Sequence, residues 1–394
     1  MNSDTHKPKT RVVYLRGRSK RIPPGGVVSL AMLPGAMVYK IASGFVKSAR
    51  IDRGGAPSEC STVISIGNIE VGGNGKTPLA IHMVNKLIAG GKRPVYISRG
   101  FKSEAERLPV VTVVVPERFG GPLTVPPGVR VLGDDAGRPV TPKIGDEGAV
   151  VMMRCPAPLL FCRDRARAIQ IAREMFDPTH VILDDAFQTW AVARDIDIVL
   201  LDARAPVGNG RLLPAGTLRE GPEALRRAHI IGFNFVTTPD GSDSGHDLNE
   251  LSRWVSRYAG WSVPVFGIRR SVTLIDTGSR RAGGTIDGSA AAMSSIGRPE
   301  RFEKMLRSLG VNLPLAIRLP DHHRFDQSDI QQVESLLQRK RIRQLIVTEK
   351  DWVKLREIGP PAVSLWVTRL ELDIVGEDPV ALCEKPQAVP AAFL

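Results

Sequence analysis

One short glycine-rich segment limits what this chain can fold into more than any other feature of its sequence. A β-branched run at 62–66 predicts a buried strand, and it leads into the segment Gly72–Thr77, Gly-Gly-Asn-Gly-Lys-Thr. A helix is expected directly afterwards, because Pro78 stands in the first turn and apolar residues recur with helical spacing over 79–88. Strand, glycine loop and helix in this order are typical of a phosphate-binding loop.

The residues of this loop suit a nucleotide polyphosphate. Glycines let backbone N–H groups turn toward phosphate oxygens, and the amino end of the helix adds partial positive charge. Lys76 is expected to reach the β- and γ-phosphates and act in catalysis, and the Thr77 hydroxyl to bind Mg²⁺. The common pattern has a glycine where Glu70 stands, so the start of the loop departs from it. We predict ATP contacts from Glu70, Val71, Gly72, Gly73, Asn74, Gly75, Lys76 and Thr77.

Acidic residues elsewhere could complete such a site. The apolar run at 180–183 ends in Asp184 and Asp185, where enzymes with this loop keep the acid that holds Mg²⁺. A kinase that acts on a hydroxyl benefits from a group that takes its proton, and Asp146 and His322 are the available candidates. From the pattern alone, a surface or capping role stays open for each of them.

Length and composition set the broad class. A chain of 394 residues with 42% hydrophobic residues exceeds what one core usually serves, so two globular units are expected. The four cysteines are scattered without a CxxC pair, which favours a reducing, cytosolic setting. The net charge of +13 would attract nucleic acid, anionic lipid or a polyanionic small molecule, and charge alone does not choose among them.

The amino-terminal residues combine basic and apolar character. Residues 1–26 carry seven Lys and Arg against one acid, and we predict a basic flexible arm. Residues 27–50 contain an apolar run that Pro34, Gly35 and Lys40 interrupt, whereas a membrane-spanning helix needs ~20 apolar residues. The pattern favours an amphipathic helix on an anionic membrane surface, with an ordinary packed helix as the alternative. A signal peptide has the same order but does not fit a loop that needs cytosolic ATP.

Several motifs occur together in a fixed order along the chain. They are Ser65–Asn68, Val71–Pro78, Ser98–Phe101, Gly145–Glu147, Leu183–Gln188, Arg194–Ile196, Gly208–Gly216, Leu218–Glu220, Asp321–His323 and Thr348–Asp351. Over most of the chain they resemble the tetraacyldisaccharide 4'-kinase family, which phosphorylates the disaccharide lipid precursor of lipid A in Gram-negative bacteria. The resemblance implies ATP-dependent phosphorylation of the 4'-hydroxyl of a tetraacyldisaccharide 1-phosphate.

The same resemblance implies roles for particular residues. It places an aspartate and a histidine at the reacting hydroxyl, which map onto Asp146 and His322. It also implies a membrane-associated helix, in agreement with 27–50, and a peripheral or monotopic enzyme at the cytoplasmic face of the inner membrane. The implied magnesium contacts are Thr77, Asp184 or Asp185, and Glu220.

The sequence departs from the family pattern in three places. Gly148 stands where a proline is common, and Ala186-Phe187 replaces the usual Gly-Leu. A Pro- and Gly-rich insertion lies at about 103–143, and its arginines (Arg118, Arg130 and Arg138) either contact lipid headgroups or are solvated. No departure removes a chemically necessary group.

The predicted fold class is α/β. A P-loop NTPase-like domain with a parallel sheet is expected at 51–262, and a smaller C-terminal α/β lobe at 290–394, joined by a β-ribbon linker at 263–289. Because Lys76 and His322 fall in different lobes, a shared substrate would require closure of the two. The expected parallel strands are 62–66, 94–98, 180–184, 196–201 and 229–233.

Three other classes of protein compete with this interpretation. A kinase or ligase with a water-soluble substrate would use 27–50 only for packing. A regulatory GTPase is disfavoured for two reasons. In Thr348–Asp351 the lysine comes one place too late for the NKxD tetrapeptide that binds guanine, and the segment that begins at Asp184 lacks the DxxG spacing of a γ-phosphate switch. A nucleic-acid partner is not expected, because the basic arm lacks interleaved aromatic residues and a recognised module.

Overall fold

The computed structural model describes residues 10–16, 61–72, 75–116, 124–132, 140–234, 247–278, 286 and 288–385. The strands in these residues are β1 (Arg11–Tyr14), β2 (Thr62–Gly67), β3 (Pro94–Ser98), β4 (Val111–Val114), β5 (Val129–Leu132), β6 (Leu159–Phe161), β7 (His180–Asp184), β8 (Ile196–Asp202), β9 (Ile230–Asn234), β10 (Val265–Asp276), β11 (Ser289–Ser294), β12 (Asn312–Arg318), β13 (Gln344–Thr348) and β14 (Ser364–Val375). The helices are α1 (Lys76–Ala89), α2 (Glu104–Arg107), α3 (Thr141–Arg154), α4 (Arg165–Phe176), α5 (Leu248–Ala259), α6 (Pro299–Ser308), α7 (Gln327–Arg339), α8 (Glu349–Ile358) and α9 (Pro379–Glu384), with a 3₁₀ helix at Pro222–Arg227.

The chain divides into two compact units. The large unit comprises 23–136, 143–271 and 372–394, and the small unit comprises 1–22, 137–142 and 272–371. The strands β10 and β14 each continue from one unit into the other. The functional boundaries at 51–262 and 290–394 stay predictions.

The large unit is built on a mostly parallel sheet. Its strand order is β10-β9-β8-β2-β7-β3-β6-β4-β5, and among these pairs only β4 and β6 run antiparallel. The five strands predicted from sequence correspond to β2, β3, β7, β8 and β9, which confirms the α/β class with its P-loop-type sheet. Because β2 and β7 pair in register from Thr62 with His180 to Ile66 with Asp184, both strands end at the same edge of the sheet.

Apolar strands buried on both faces hold the large unit together. Val199 and Leu201 of β8 pack in a cluster with Leu251 and Val255 of α5. On β7, Val181 and Leu183 lie in a second cluster with residues of α4. Continuous apolar runs of this kind are what a parallel sheet covered by helices requires.

The small unit repeats this plan on fewer strands. Its strand order is β1-β12-β11-β13-β14, and the pairs from β1 to β14 are parallel. Along β11, Ala290 and Ala292 pack in one cluster with Phe302 of α6. Ala291 and Met293 belong to another, with residues of α7 and α8. Alternation of successive side chains between the two faces therefore builds two cores from one short strand.

The arm at 1–26 and the insertion at 103–143 both contain regular structure where they are described. The flexible arm predicted at 1–26 contains β1, whose residues pair with Leu315–Arg318 of β12. The insertion at 103–143 contributes α2, β4 and β5 where it is described. Within it, Arg130 pairs with Glu104 at 3.3 Å, while Arg118 and Arg138 lie outside the described residues.

The segment 263–289 does not fold back on itself over its described part. It contains β10, a single strand of twelve residues whose neighbours are β9 and β14. The backbone N–H of Thr277 donates to the Leu365 carbonyl at 3.0 Å at one end of this pairing. The strand beside β10 on this side is β14, and of the turn expected at 277–279 only Thr277 and Gly278 lie within the described residues.

The membrane-surface helix predicted at 27–50 lies outside the described residues. Among the helices of the described part, none combines the length and the apolar character that crossing a bilayer needs. The contact of this chain with a membrane surface stays a prediction.

Candidate active site

The loop between β2 and α1 begins the site. Its last residue before the helix, Gly75, has φ 81° and caps α1. A Cβ atom there would lie 2.4 Å from the Arg270 guanidinium and 3.0 Å from the Asn234 side-chain oxygen. The left-handed backbone favours glycine, and an added Cβ would also displace the Arg270 guanidinium. Gly73 and Asn74 lie outside the described residues.

A second loop supports the first residues of the phosphate-binding loop. The N–H of Val71 donates to the Thr217 carbonyl at 2.8 Å, and the N–H of Arg219 donates to the Ile69 carbonyl at 2.7 Å. The Glu70 carboxylate accepts a hydrogen bond from the Thr217 hydroxyl at 2.5 Å. Glu70 therefore replaces the usual glycine with a side chain that joins the two loops, and its contact with ATP stays a prediction.

The Lys76 side chain lies along the phosphate-binding loop and beside Asp185. Its ammonium group lies 3.5 Å from an Asp185 carboxylate oxygen and 3.4 Å from the Gly72 carbonyl oxygen. Arg219 donates to the same Asp185 oxygen at 2.9 Å. Burial opposes the charge of Asp185, but Lys76 and Arg219 outweigh it and lower the pKa of this carboxyl below its ordinary value. The site therefore holds an ionised acid between two cations.

Thr77 contacts the other acid of the pair. Its hydroxyl donates to Asp184 Oδ2 at 2.8 Å, and the Tyr96 hydroxyl donates to the same oxygen at 2.7 Å. Burial raises the pKa of Asp184, against the effect of these two hydrogen bonds. The second oxygen, Oδ1, is buried and has no hydrogen-bond partner among the described residues. A buried oxygen of this kind beside a threonine hydroxyl is suited to a cation.

Glu220, the remaining acid implied for magnesium, is occupied by protein partners. One carboxylate oxygen accepts from Gln188 at 2.9 Å and the other from Arg227 at 2.7 Å. The Arg227 guanidinium in turn stacks on Trp190, 3.9 Å from the ring centroid. In the described part of the chain, no three His, Cys, Asp or Glu side chains group closely enough to hold a metal by themselves.

The candidate proton acceptor Asp146 follows a break in α3. Gly145 has φ 82° and ψ 161°, so the helix is interrupted there and Asp146 stands at the start of its second segment. Asp146 is half-buried, and the neighbouring Glu147 is exposed. The other candidate, His322, belongs to the small unit and is also half-buried. It has the left-handed backbone angle φ 61°, which is uncommon for a residue with a side chain.

Sequence reasoning missed four polar residues of the large unit near this site. Tyr96 could have been found, since it is a hydroxyl-bearing residue within the otherwise apolar run of β3. Arg165 is buried near Asp184, and burial lowers its pKa. Arg270 donates to Asn234 at 2.9 Å beside Gly75, and burial lowers its pKa to about 10. No motif signalled these arginines, because their positions depend on tertiary structure.

Comparison with known proteins identifies the family. The sequence profile described as Tetraacyldisaccharide-1-P 4'-kinase matches residues 28–385. A tetraacyldisaccharide 4'-kinase of Anaeromyxobacter dehalogenans (strain 2CP-C) is 32% identical over 345 residues, which cover 86% of this chain and 84% of that protein. Another, from Syntrophus aciditrophicus (strain SB), is 34% identical over 323 residues, which cover 79% of this chain and 80% of that protein.

A solved structure supports the fold. The crystal structure of the "apo" form of LpxK from Aquifex aeolicus in complex with ATP aligns with a TM-score of 0.65 at 22% identity, over 91% of this chain and 98% of that chain. At this identity the likeness concerns the fold, whereas the profile and the relatives confirm the resemblance inferred from the motifs. This chain belongs to the tetraacyldisaccharide 4'-kinase family.

Proposed function

We propose that this chain is a lipid kinase that transfers the γ-phosphoryl group of ATP to the 4'-hydroxyl of a tetraacyldisaccharide 1-phosphate, a step of lipid A biosynthesis. The names of its relatives support this substrate, and the ATP complex of the Aquifex relative supports the phosphoryl donor. The observation that carries the proposal is the arrangement of Lys76, Thr77, Asp184 and Asp185 at the amino end of α1.

The loop residues have separate tasks in this proposal. Backbone N–H groups between Glu70 and Thr77 surround the phosphates, and α1 directs its positive end toward them. Lys76 neutralises charge that builds on the γ-phosphate during transfer. Asp185, ionised and 3.5 Å from the Lys76 ammonium, keeps that group at the loop. Positioning and electrostatics, rather than covalent chemistry, then supply most of the rate enhancement.

Thr77 and Asp184 fit a magnesium ion. Their oxygens lie 2.8 Å apart, and the unpartnered Oδ1 of Asp184 is a hard, anionic ligand of the type that Mg²⁺ binds. Bound there with ATP, the ion would neutralise phosphate charge. We assign Asp184 to the metal, because Asp185 is already paired with Lys76 and Arg219. Glu220 contributes indirectly, through Gln188 and Arg227.

Asp146 is proposed to accept the proton of the 4'-hydroxyl, with His322 tuning its charge. This assignment rests on the matched motifs and on the need for a group that takes the hydroxyl proton as the γ-phosphoryl group is transferred. The break in α3 is compatible with this role, because Asp146 lies at the start of a helical segment, where the helix dipole favours a negative charge.

A direct assay tests the substrate. The protein is incubated with magnesium and with ATP that carries radioactive phosphorus in its γ-phosphate. The acceptor is a lipid A disaccharide monophosphate in detergent micelles or, in a parallel tube, a soluble disaccharide. Label in the lipid alone supports the proposal, and the Lys76→Ala variant serves as the inactive control. Label in the soluble sugar, or in neither acceptor, would refute it.

The membrane surface is the proposed place of reaction, at the cytoplasmic face of the inner membrane. Support comes from the apolar run at 27–50 with its basic flanking residues and from the net charge of +13. Deleting the amino terminus would also remove β1, so a milder variant is preferable: Leu30, Leu33 and Val38 replaced by serine. Co-sedimentation with anionic vesicles should be lost in this variant, and equal binding by both proteins would contradict the assignment.

A further inference from the structure

The loop that carries His322 is held by side chains that the proposed reaction does not use. It follows β12 and precedes α7, and the N–H of His322 donates to the Ser295 carbonyl at 3.1 Å. Ser295 comes directly after β11 and is 2% exposed. The positive φ of His322 is a conformation that persists only where surrounding contacts fix it. Residues of neighbouring elements supply that restraint.

A buried lysine supplies part of it. The Lys354 side chain is 7% exposed, and its ammonium group donates to the His323 carbonyl at 3.0 Å and to the Ser295 hydroxyl at 2.5 Å. It also lies 3.2 Å from Asp351 Oδ1. An ammonium group has three N–H donors, and three acceptors surround this one. Burying a charge is unfavourable unless it is paired and hydrogen-bonded, so this geometry is closely specified.

The Asp351 carboxylate contacts both Lys354 and the residue that follows β11. Its carboxylate accepts hydrogen bonds from the Ser295 N–H at 3.2 Å and from the Thr348 hydroxyl at 2.7 Å, and also from the Ser295 hydroxyl. Asp351 is completely buried. The last residue of the motif Thr348–Asp351 therefore connects α8 to the end of β11, and Lys354 continues that connection to the histidine loop.

We infer that Lys354, with Asp351 and Ser295, positions His322 for phosphoryl transfer. The inference rests on the proposed role of His322 in the reaction. Lys354 acts on the loop backbone at His323, and Ser295 acts at His322 itself, so the three residues restrain both sides of the histidine. This gives the motif Thr348–Asp351 a task in the small unit that is separate from binding ATP.

A double-mutant cycle tests the inference. Wild type, Lys354→Met, His322→Ala and the double variant are assayed with ATP, magnesium and the lipid acceptor in micelles. Lys354→Met should lower kcat by about 10²-fold, the loss that a misplacement of about 1 Å causes, while the KM for ATP stays within about twofold. On the His322→Ala background the same substitution should lower kcat by less than about threefold, because the group it positions is absent.

The controls separate folding from positioning. Lys340→Met changes an exposed lysine of the same unit and should leave kcat unchanged. Ser295→Ala keeps the Lys354–Asp351 ion pair, and it should reproduce part of the kcat loss with a melting temperature close to that of wild type. An equal loss from Lys354→Met on both backgrounds would overturn the inference and leave a purely structural role. Wild-type kcat in His322→Ala alone would refute the proposed histidine role, and the inference would fail with it.

Discussion

The phosphate-binding loop and the histidine loop occupy equivalent places in the two units. Each follows a parallel strand and leads into a helix, β2 to α1 in the large unit and β12 to α7 in the small unit. The first is shaped by its own glycines, above all Gly75 with φ 81°. The second is shaped by side chains outside the loop, chiefly Lys354 of α8 and Asp329 in the first turn of α7. At Gly75 the first loop is therefore specified locally, although Thr217 and Arg219 support its first residues, whereas the second loop depends on contacts with other elements.

This difference decides how each loop should respond to mutation. A locally specified loop keeps its backbone when a functional side chain is removed, so such a change should affect chemistry and leave stability nearly intact. A loop specified by distant side chains should lose its shape when one of those partners is removed. The four predictions below test both halves of this comparison, from the largest effect to the smallest.

Removal of the Lys76 ammonium group should have the largest effect. Lys76→Ala is expected to lower kcat/KM by about 10³-fold, because one preorganised charge at a developing anion contributes on that order. Thermal stability should change little, since the loop is held by its backbone. Lys86→Ala, on the same helix but more than half exposed, is the matched control and should retain activity. Near-normal turnover in Lys76→Ala would contradict the assignment of the site.

Replacement of the candidate base should come next. Asp146→Asn is expected to lower kcat by at least about 10²-fold, the smaller end of what general base catalysis contributes, with little change in the KM for ATP. Steady-state assays at varied ATP measure both constants, and Glu174→Gln on the exposed surface of α4 is the control. A rise in KM without a fall in kcat would mean that Asp146 binds substrate and does not react.

The strands and the loop that could be predicted from the sequence are those with a local signal. The strands at 62–66, 180–184 and 196–201 were predicted because buried parallel strands are continuous apolar runs with a local signal. The phosphate-binding loop was predicted because its glycines are required by its own backbone. The strands β4 and β5 were missed, since each has only four residues and lies in a Pro- and Gly-rich insertion for which no strand was predicted.

The supports of the histidine loop were beyond prediction for a physical reason. Ser295, Asp329 and the α8 pair Asp351 and Lys354 come from three separate segments, and the parallel pairing of β11 with β12 and β13 brings these segments together. No spacing along the chain encodes that proximity. His322 was a candidate from its residue type and received its role from the resemblance to a family, and Asp351 was noted only as part of a motif.

A close approach in the large unit tests how far tertiary packing constrains the strand end before the phosphate-binding loop. A Cβ atom on Gly67 would lie 2.3 Å from the Phe187 Cβ, and Phe187 is completely buried. Gly67→Ala should therefore destabilise the protein by about 2 kcal/mol, since overpacking forces backbone shifts. Urea denaturation measures this loss. Gly90→Ala is the control, because a Cβ there meets its nearest atom at 3.5 Å. Equal stability of the two variants would show that the start of the loop is less tightly packed than the distance indicates.

The smallest expected effect concerns the acid that holds the other side of the histidine loop. Asp329 Oδ2 lies 2.7 Å from His323 Nε2, and Arg16 donates to Asp329 Oδ1 at 3.0 Å. Burial raises the pKa of Asp329, but the hydrogen bonds from His323, the Asp326 N–H and Arg16 outweigh it and lower that pKa below its ordinary value. A lowered carboxyl pKa in the folded state stabilises the fold above the unfolded-state value of about 3.9, and this contribution is lost as pH falls through the folded-state value.

Asp329→Asn should therefore cost about 1.5 kcal/mol at pH 7, the size of one hydrogen bond to a charged group. The difference from wild type should shrink as the pH falls below about 4, where the wild-type carboxylate takes up its proton. Denaturation curves at several pH values measure it, with Asp177→Asn, whose side chain is 84% exposed, as control. A difference that is constant with pH would mean that packing rather than charge holds the loop. In that case the contrast between a locally specified loop and one held by distant charged side chains would no longer apply to this part of the molecule.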